Sequence, residues 1–282
     1  MSKNIKIDYH NLMDLRVDYA FKQLFTKGDP KLLISLINAI FENKKIKRVI
    51  KSLDIKNPYM DKESAEDKLY ILDIRAELQD GTHILIEMHL HGLGELKAKT
   101  IRSWARAYGE DLTVGKYYKS QSPTITIAFI DGQIRPLSHS PDNNKIHRLC
   151  MITDIEDNII FTDAMELHYI DMKAFTEAVN EKGSISIKEE PLFSKWLSVI
   201  TQKEIENKDI VQNAVKDEEE IFMAMSSLAL QGEDKYVRQA YQRRKDEIFY
   251  YKKEQAEFAQ TKAENIELRK EIERLQAELA SK

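Results

Sequence analysis

The sequence predicts an α/β protein: a mixed sheet flanked by helices, with a helical extension at the C-terminal end. Three observations carry this. Apolar residues recur at helical spacing near the N-terminus and again from about Met172 onward. Between those regions lie runs of two-residue alternation and of β-branched residues, the pattern of strands. The last segment exchanges both patterns for heptad-like spacing of Leu and Ile.

The elements follow in order. "DYAFKQLFTKGDPKLLISLINAIFENKK" reads as a helix with Phe21, Leu24 and Phe25 on one face, a Gly28-Asp29-Pro30 break, and a helix with Leu33, Leu36, Ile37 and Ile40 inward. "IKRVIKSLDI" is a candidate strand. "KLYILDIRAEL" and "THILIEMHL" flank "QDG", which predicts a hairpin. "ELKAKTIRSWARAYGEDLTVGKYYK" reads as a long amphipathic helix with Ile101, Trp104, Ala105, Tyr108 and Leu112 as its buried stripe. "PTITIAFID" is a β-branched strand, and "HRLCMITD" and "MELHYIDM" are two more. The order is α–β–β–β–α–β with further strands, then helices.

At the C-terminal end Leu268, Ile272, Leu275 and Leu279 follow 4–3–4 spacing. With Ile272 and Leu279 at a, Leu268 and Leu275 fall at d. Asn265 then sits at a, a device that fixes register in two-stranded coils, and Glu264 (g) faces the following Arg269 (e). A parallel homodimer is the expectation. Thr261 and Glu254 at d keep the pattern short, so a single solvated helix is the alternative. The chain divides into residues 11–200, a helical region 201–245 and a C-terminal helix 246–282.

Composition narrows the classes. Of 282 residues, 32% are charged and only 9 are Gly and 6 Pro, a soluble, helix-leaning balance. The net charge of −4 gives no bulk argument for nucleic acid, so such a partner needs a local patch. The single cysteine, Cys150, excludes an intrachain disulfide and a cysteine-based zinc site; it is expected to be buried in a strand. No run approaches the ~20 apolar residues of a membrane span, and no signal core opens the chain. A cytoplasmic, membrane-free protein is expected.

The hairpin can be argued to its register. Leu72, Ile74, Ala76 and Leu78 are apolar on the first strand, and Ile84, Ile86, Met88 and Leu90 on the second; all are even-numbered. One face must collect both sets, so even pairs with even. A two-residue Asp80-Gly81 turn would pair 79 with 82 and split them. A three-residue Gln79-Asp80-Gly81 loop pairs 78 with 82, with Gly81 in the left-handed position of a G1 bulge. Asp73 then lies opposite Glu87, with Cβ atoms ~4.5–5.5 Å apart, and Arg75, Glu77, His83 and His89 share their face. Facing carboxylates repel unless a cation or proton lies between them. Two readings follow: an Mg²⁺ site, or a solvated polar face neutralised by Arg75.

His89 and His91 also form a His-x-His pair suited to zinc or iron, but His83 faces Glu77 in this register and is too far to complete it. Lys97, Lys99, Arg102 and Arg106 on the long helix, and Lys44 to Lys51, are basic clusters that could meet phosphates or be solvated faces. Trp104 and Tyr108 read as core. No nucleophilic triad is signalled.

"DYAFKQLF", "DKLYILDIRAELQDGTHILIEMH", the Trp/Tyr-containing helix ending "VGKYY", "SPTITIAFID" and "FTDAMELHYIDM" together resemble the Rpn family of recombination-promoting nucleases and transposases, within the PD-(D/E)XK nuclease superfamily. The resemblance covers roughly residues 11 to 200 in the right order. It implies a restriction-endonuclease-like mixed sheet with an αβββαβ core and an Mg²⁺-dependent DNA endonuclease site, Mn²⁺ being a substitute. It implies that Asp73 and Glu87, with the Met88 carbonyl, are the metal ligands, and that His89 stands where the superfamily has Lys and this family commonly Gln. Asp18, Lys22 and Lys68 match accessory positions. A neutral imidazole at His89 can orient a water or accept its proton, but is not the fixed positive charge of a lysine. The resemblance therefore admits two functions: an endonuclease linked to recombination or mobile elements, or a weakly active relative that binds DNA or protein.

Overall fold

The computed structural model describes residues 7–9, 11–60, 70–90, 93–110, 117–118, 121–132, 145–185 and 189–280. Two helices open the chain, α1 (Asp18–Lys27) and α2 (Pro30–Asn43). The Gly-Asp-Pro break works as expected: Asp29 caps α2 by accepting the Lys31 N–H, and Pro30 fills the first turn, where no N–H partner is needed. Strands β1 (Leu53–Lys56), β2 (Tyr59–Met60), β3 (Tyr70–Ile71), β4 (Ile74–Leu78) and β5 (His83–His89) follow. Then come α3 (Leu96–Glu110), β6 (Thr124–Ile130), β7 (His147–Asp154) and β8 (Ile159–Asp171). The chain ends in α4 (Met172–Lys182), α5 (Pro191–Ile200), α6 (Lys208–Asp217), α7 (Glu219–Glu233) and α8 (Lys235–Ala280).

The main sheet has six strands in the order β1-β4-β5-β6-β8-β7. β1, β4 and β5 are antiparallel neighbours, β5, β6 and β8 are parallel, and β7 closes antiparallel on β8. Central β6 is buried along its whole length, as a parallel strand covered on both faces must be. Its Ile125, Ile127 and Phe129 join the large core under α1, α2 and the C-terminal helices; Ala128 and Ile130 pack beneath α3. The large core continues past residue 200 through Ile205, Val211, Met225, Leu228 and Tyr241.

The hairpin register is the expected one: Ile74 pairs with Ile86, Ala76 with Ile84 and Glu77 with His83. Gly81 has φ +86°, and a Cβ there would lie 3.1 Å from Ser122 Oγ, so a side chain is disfavoured by both conformation and space. Four local expectations are corrected. The first candidate strand shrinks to Leu53–Lys56. The expected continuous strand from Lys68 to Leu78 is broken at Leu72–Asp73, and Leu72 packs with Leu85 and Ala107 on the α3 side, away from Ile74. On α3 the buried face is Leu96, Thr100, Ser103 and Ala107, while Ile101 and Ala105 are exposed and Trp104 and Tyr108 are half-buried. Thr100 and Ser103 can go inside because each hydroxyl is hydrogen-bonded, Thr100 to Tyr169 and to the Leu96 carbonyl, Ser103 to Glu87. Leu112 lies outside the described residues. Cys150 is exposed.

A buried polar chain ties the far edge of the sheet to α2. Asn43 Oδ1 accepts the Glu190 N–H, so its Nδ2 donates to His147 Nδ1 at 2.9 Å. His147 Nε2–H then donates to His168 Nδ1 at 3.0 Å, and His168 Nε2 faces Glu166, which also takes Arg48 at 3.0 Å. Burial, then mutual repulsion, holds His147 well below the ordinary imidazole range, and burial lowers His168. Arg48, expected among the phosphate-facing cations, is thus committed to the fold.

Asp171 ends β8 and caps α4 by accepting the Ala174 N–H at 2.9 Å. It is buried, and burial, together with the like charges of Asp131 and Glu177, pushes its carboxyl up to about 6. A folded-state pKa above the unfolded one of ~3.9 means the folded protein holds the extra proton between those values, so the carboxylate's penalty is absent at low pH and present above pH 6. Asp171→Asn keeps an N-cap acceptor and removes the charge. It should raise stability by about 1–3 kcal/mol at pH 7.5, with the gain vanishing below about pH 4; urea denaturation across that range checks this, and a gain that persists in acid would contradict it.

Candidate functional site

The break at Leu72–Asp73 builds the site. Leu78 N–H donates to the Thr82 carbonyl, so the even-numbered pairs of this hairpin are the hydrogen-bonded ones. A continued ladder would send the Met88 N–H to the Leu72 carbonyl. The chain bends instead, and Asp73 Oδ2 accepts the Met88 N–H at 2.6 Å. The carboxylate replaces a backbone acceptor, which keeps a half-buried N–H satisfied where the strand stops. The N–H and C=O of one strand residue point to the same edge, so the Met88 carbonyl opens toward Asp73 as well.

The other oxygen of Asp73 pairs with Lys22 Nζ at 3.0 Å. Lys22 is presented by α1, whose opposite face carries Ala20, Phe21, Leu24 and Phe25 into the core. Phe21 packs at a tilt 5.6 Å from Phe129 of β6, and Phe25 lies 5.8 Å from Trp196 of α5. Each such buried ring stabilises by roughly 1.5–3 kcal/mol, so α1 is fixed on the sheet and Lys22 with it. Burial pushes the Asp73 carboxyl up; Lys22 and the Met88 N–H oppose this, and Asp18 adds a like charge. Asp18, one turn before Lys22, is held by Arg244 of α8 through both carboxylate oxygens at 2.8 and 3.0 Å.

Glu87 is reached from the other face. It is buried under α3, where Ser103 Oγ donates to Glu87 Oε1 at 2.7 Å. His89 Nε2 lies 2.9 Å from Glu87 Oε2, at ion-pair distance, but off the direction of a hydrogen bond. The expected pairing of Asp73 directly opposite Glu87 on one face is corrected: the ladder ends at Ile74–Ile86, and beyond the break Asp73 turns to Lys22 of α1 while Glu87 turns to Ser103 of α3. Among the described residues no three His, Cys, Asp or Glu side chains are grouped closely enough to hold a metal ion.

The remaining sequence candidates divide. Lys97, Lys99 and Arg102 are exposed on α3, with Lys99 3.7 Å from Glu95, and Arg106 is half-buried on the same helix. Lys68 and His91 lie outside the described residues. Two side chains that the sequence reading missed complete the site: Ser103, a polar residue at a core position of a helix, and Arg244, which meets Asp18 from 226 residues away. Helical spacing could have suggested Ser103; no local signal points to Arg244.

A mixed sheet with an antiparallel hairpin, an acidic residue at a strand break, an acid on the next strand and a helix bringing an acid and a lysine to them define a nuclease-type α/β protein. The family model for the PD-(D/E)XK nuclease family transposase matches residues 15–265, and the chain belongs to that family. No match is found among curated proteins or solved structures. Among the described residues no helix is long and apolar enough to cross a membrane.

Ser103→Ala leaves Glu87 buried with one oxygen unpaired. A loss of about 1–3 kcal/mol in urea denaturation at pH 7.5 is expected; unchanged stability would show that the Ser103 bond does not hold this carboxylate.

Proposed function

We propose that this chain is an Mg²⁺-dependent DNA endonuclease, with Mn²⁺ able to substitute, acting in the cytoplasm in recombination or mobile-element movement. The observation that carries the reading is Asp73: a half-buried carboxylate raised by desolvation, at a strand break, beside the Met88 backbone and Asp18, in a chain of a nuclease family. Asp73, Glu87 and the Met88 carbonyl would hold the ion, and these are the hard oxygen donors that Mg²⁺ takes. The ion, when bound, lowers the pKa of a water and stabilises charge on a phosphate oxygen.

The chain's own residues do the rest. Lys22 supplies positive charge beside Asp73. Ser103 fixes the rotamer of Glu87. His89, next to Glu87, can accept a proton from an attacking water, a role open to a neutral imidazole. Nicking of supercoiled plasmid with Mg²⁺ or Mn²⁺ tests this. Asp73→Ala and Glu87→Ala should each cut at least about 100-fold more slowly than wild type; cutting that survives Asp73→Ala sinks the proposed site.

A second reading rests on the closed state of both carboxylates, one on Lys22 and the other on Ser103 and His89. On that reading the fold is a weakly active relative that binds DNA or protein. Absence of cutting by folded wild type with any divalent ion between pH 6 and 9 would favour it.

The assembly proposed is a homodimer through α8. From Glu254 on, its described side chains are all exposed, including Leu268, Ile272 and Leu275 at 60%, 54% and 46%. Leu268→Asp with Leu275→Asp should convert a dimer to a monomer in light-scattering mass measurement; an unchanged mass removes the coiled coil.

A further inference from the structure

The net charge of −4 requires any DNA contact to be local, and one cleft provides the patch. It encloses about 390 Å³ between the C-terminal half of α1 and the edge strand β1, and Asp73 is part of its wall. Among the described residues four cations line it: Lys22, Lys27, Lys56 and Arg75. Among the described residues, Asp73 is the one carboxylate lining it. None of Lys97, Lys99, Arg102 and Arg106 lines this cleft.

Each cation has a local explanation. Lys27 sits in the last turn of α1, where a positive charge suits the helix dipole. Lys56 is on an edge strand, where lysine discourages strand addition, and pairs with Glu77 at 3.1 Å. Arg75 pairs with Glu110 at 2.7 Å. Those explanations do not account for their convergence on one wall with Asp73. Two further facts point outward. Lys27 is exposed and makes no ion pair among the described residues. The Lys56 pair is more than a third exposed on both sides, so a phosphate can compete for it at little cost.

We infer that this cleft seats the phosphate backbone of the DNA strand that approaches Asp73, with Lys27 and Lys56 as its backbone contacts. This rests on the endonuclease reading and adds the track along which DNA reaches the site. Contacts of this kind position the duplex and carry no sequence information.

The test is binding rather than cleavage. Fluorescence anisotropy of a labelled 30-base-pair duplex is followed in EDTA between about 50 and 200 mM salt. Lys27→Ala with Lys56→Ala should lower affinity about tenfold or more at the lower salt and reduce the slope of log K against log salt by about 2, near 0.9 per lost phosphate contact. Lys99→Ala with Arg102→Ala, on the other helix, should keep the wild-type slope. Both lysines are exposed or half-buried, and circular dichroism confirms that the variants fold. A cleft variant with the wild-type slope, or a loss that follows Lys99 and Arg102 instead, overturns the assignment and leaves the endonuclease reading standing. Folded wild type that fails to bind the duplex at 50 mM salt overturns both.

Discussion

Everything near the site depends on one hydrogen bond, from the Met88 N–H to the Asp73 carboxylate. A strand that ends inside a protein leaves a backbone donor that must find an acceptor, and leaving it bare costs about as much as a lost hydrogen bond. Supplying a side-chain carboxylate solves that problem and creates another, a half-buried negative charge. Lys22 answers the second problem, and the packing of α1 on Phe129 and Trp196 holds Lys22 in place to do so. The bend, the carboxylate, the lysine and the helix form one arrangement: removing any of them leaves a half-buried polar group unpaired.

The same logic reaches outward to α8. Asp18 stands one turn from Lys22 and adds a like charge beside Asp73; Arg244 of α8 holds it through both carboxylate oxygens. Tyr241 and Lys252, on either side of Arg244, also touch the body: the Tyr241 hydroxyl accepts the Asp14 N–H at 3.0 Å, and Lys252 lies 3.6 Å from Asp131. α8 has 46 residues and so runs roughly 70 Å. Its first half packs on the body of the fold, and its second carries the exposed Leu and Ile stripe.

Much of this was legible in the sequence because it is periodic. The even parity of Ile74, Ala76, Leu78, Ile84 and Ile86, with Gly81 where a positive φ is needed, was enough to fix a hairpin register. What escaped was aperiodic. Leu72 has the right parity and the wrong face, because parity fails at a bend and the bend is made by a side chain competing with the ladder. Thr100 and Ser103 read as polar, yet they are core because each hydroxyl finds a partner across the interface. Arg244 and Asp18 are local neutral facts until the fold closes over 226 residues.

The weight given to charge also changes. A net value of −4 says little about phosphate binding, because fields between exposed charges decay over ~8 Å at physiological salt. What matters is which charges share a cavity wall. Many acids of this chain lie on α8 and on the β7–β8 ribbon, where Asp154, Glu156, Asp157 and Asp163 follow one another with no lysine or arginine between them, while Glu77 and Glu110 pair with cations of the cleft. The cations around Asp73 are gathered by tertiary structure from α1, β1 and β4, and no stretch of sequence shows them together. A chain can thus be acidic overall and still gather cations on one cleft wall, because local charge is set by which side chains the fold brings together and not by the net value.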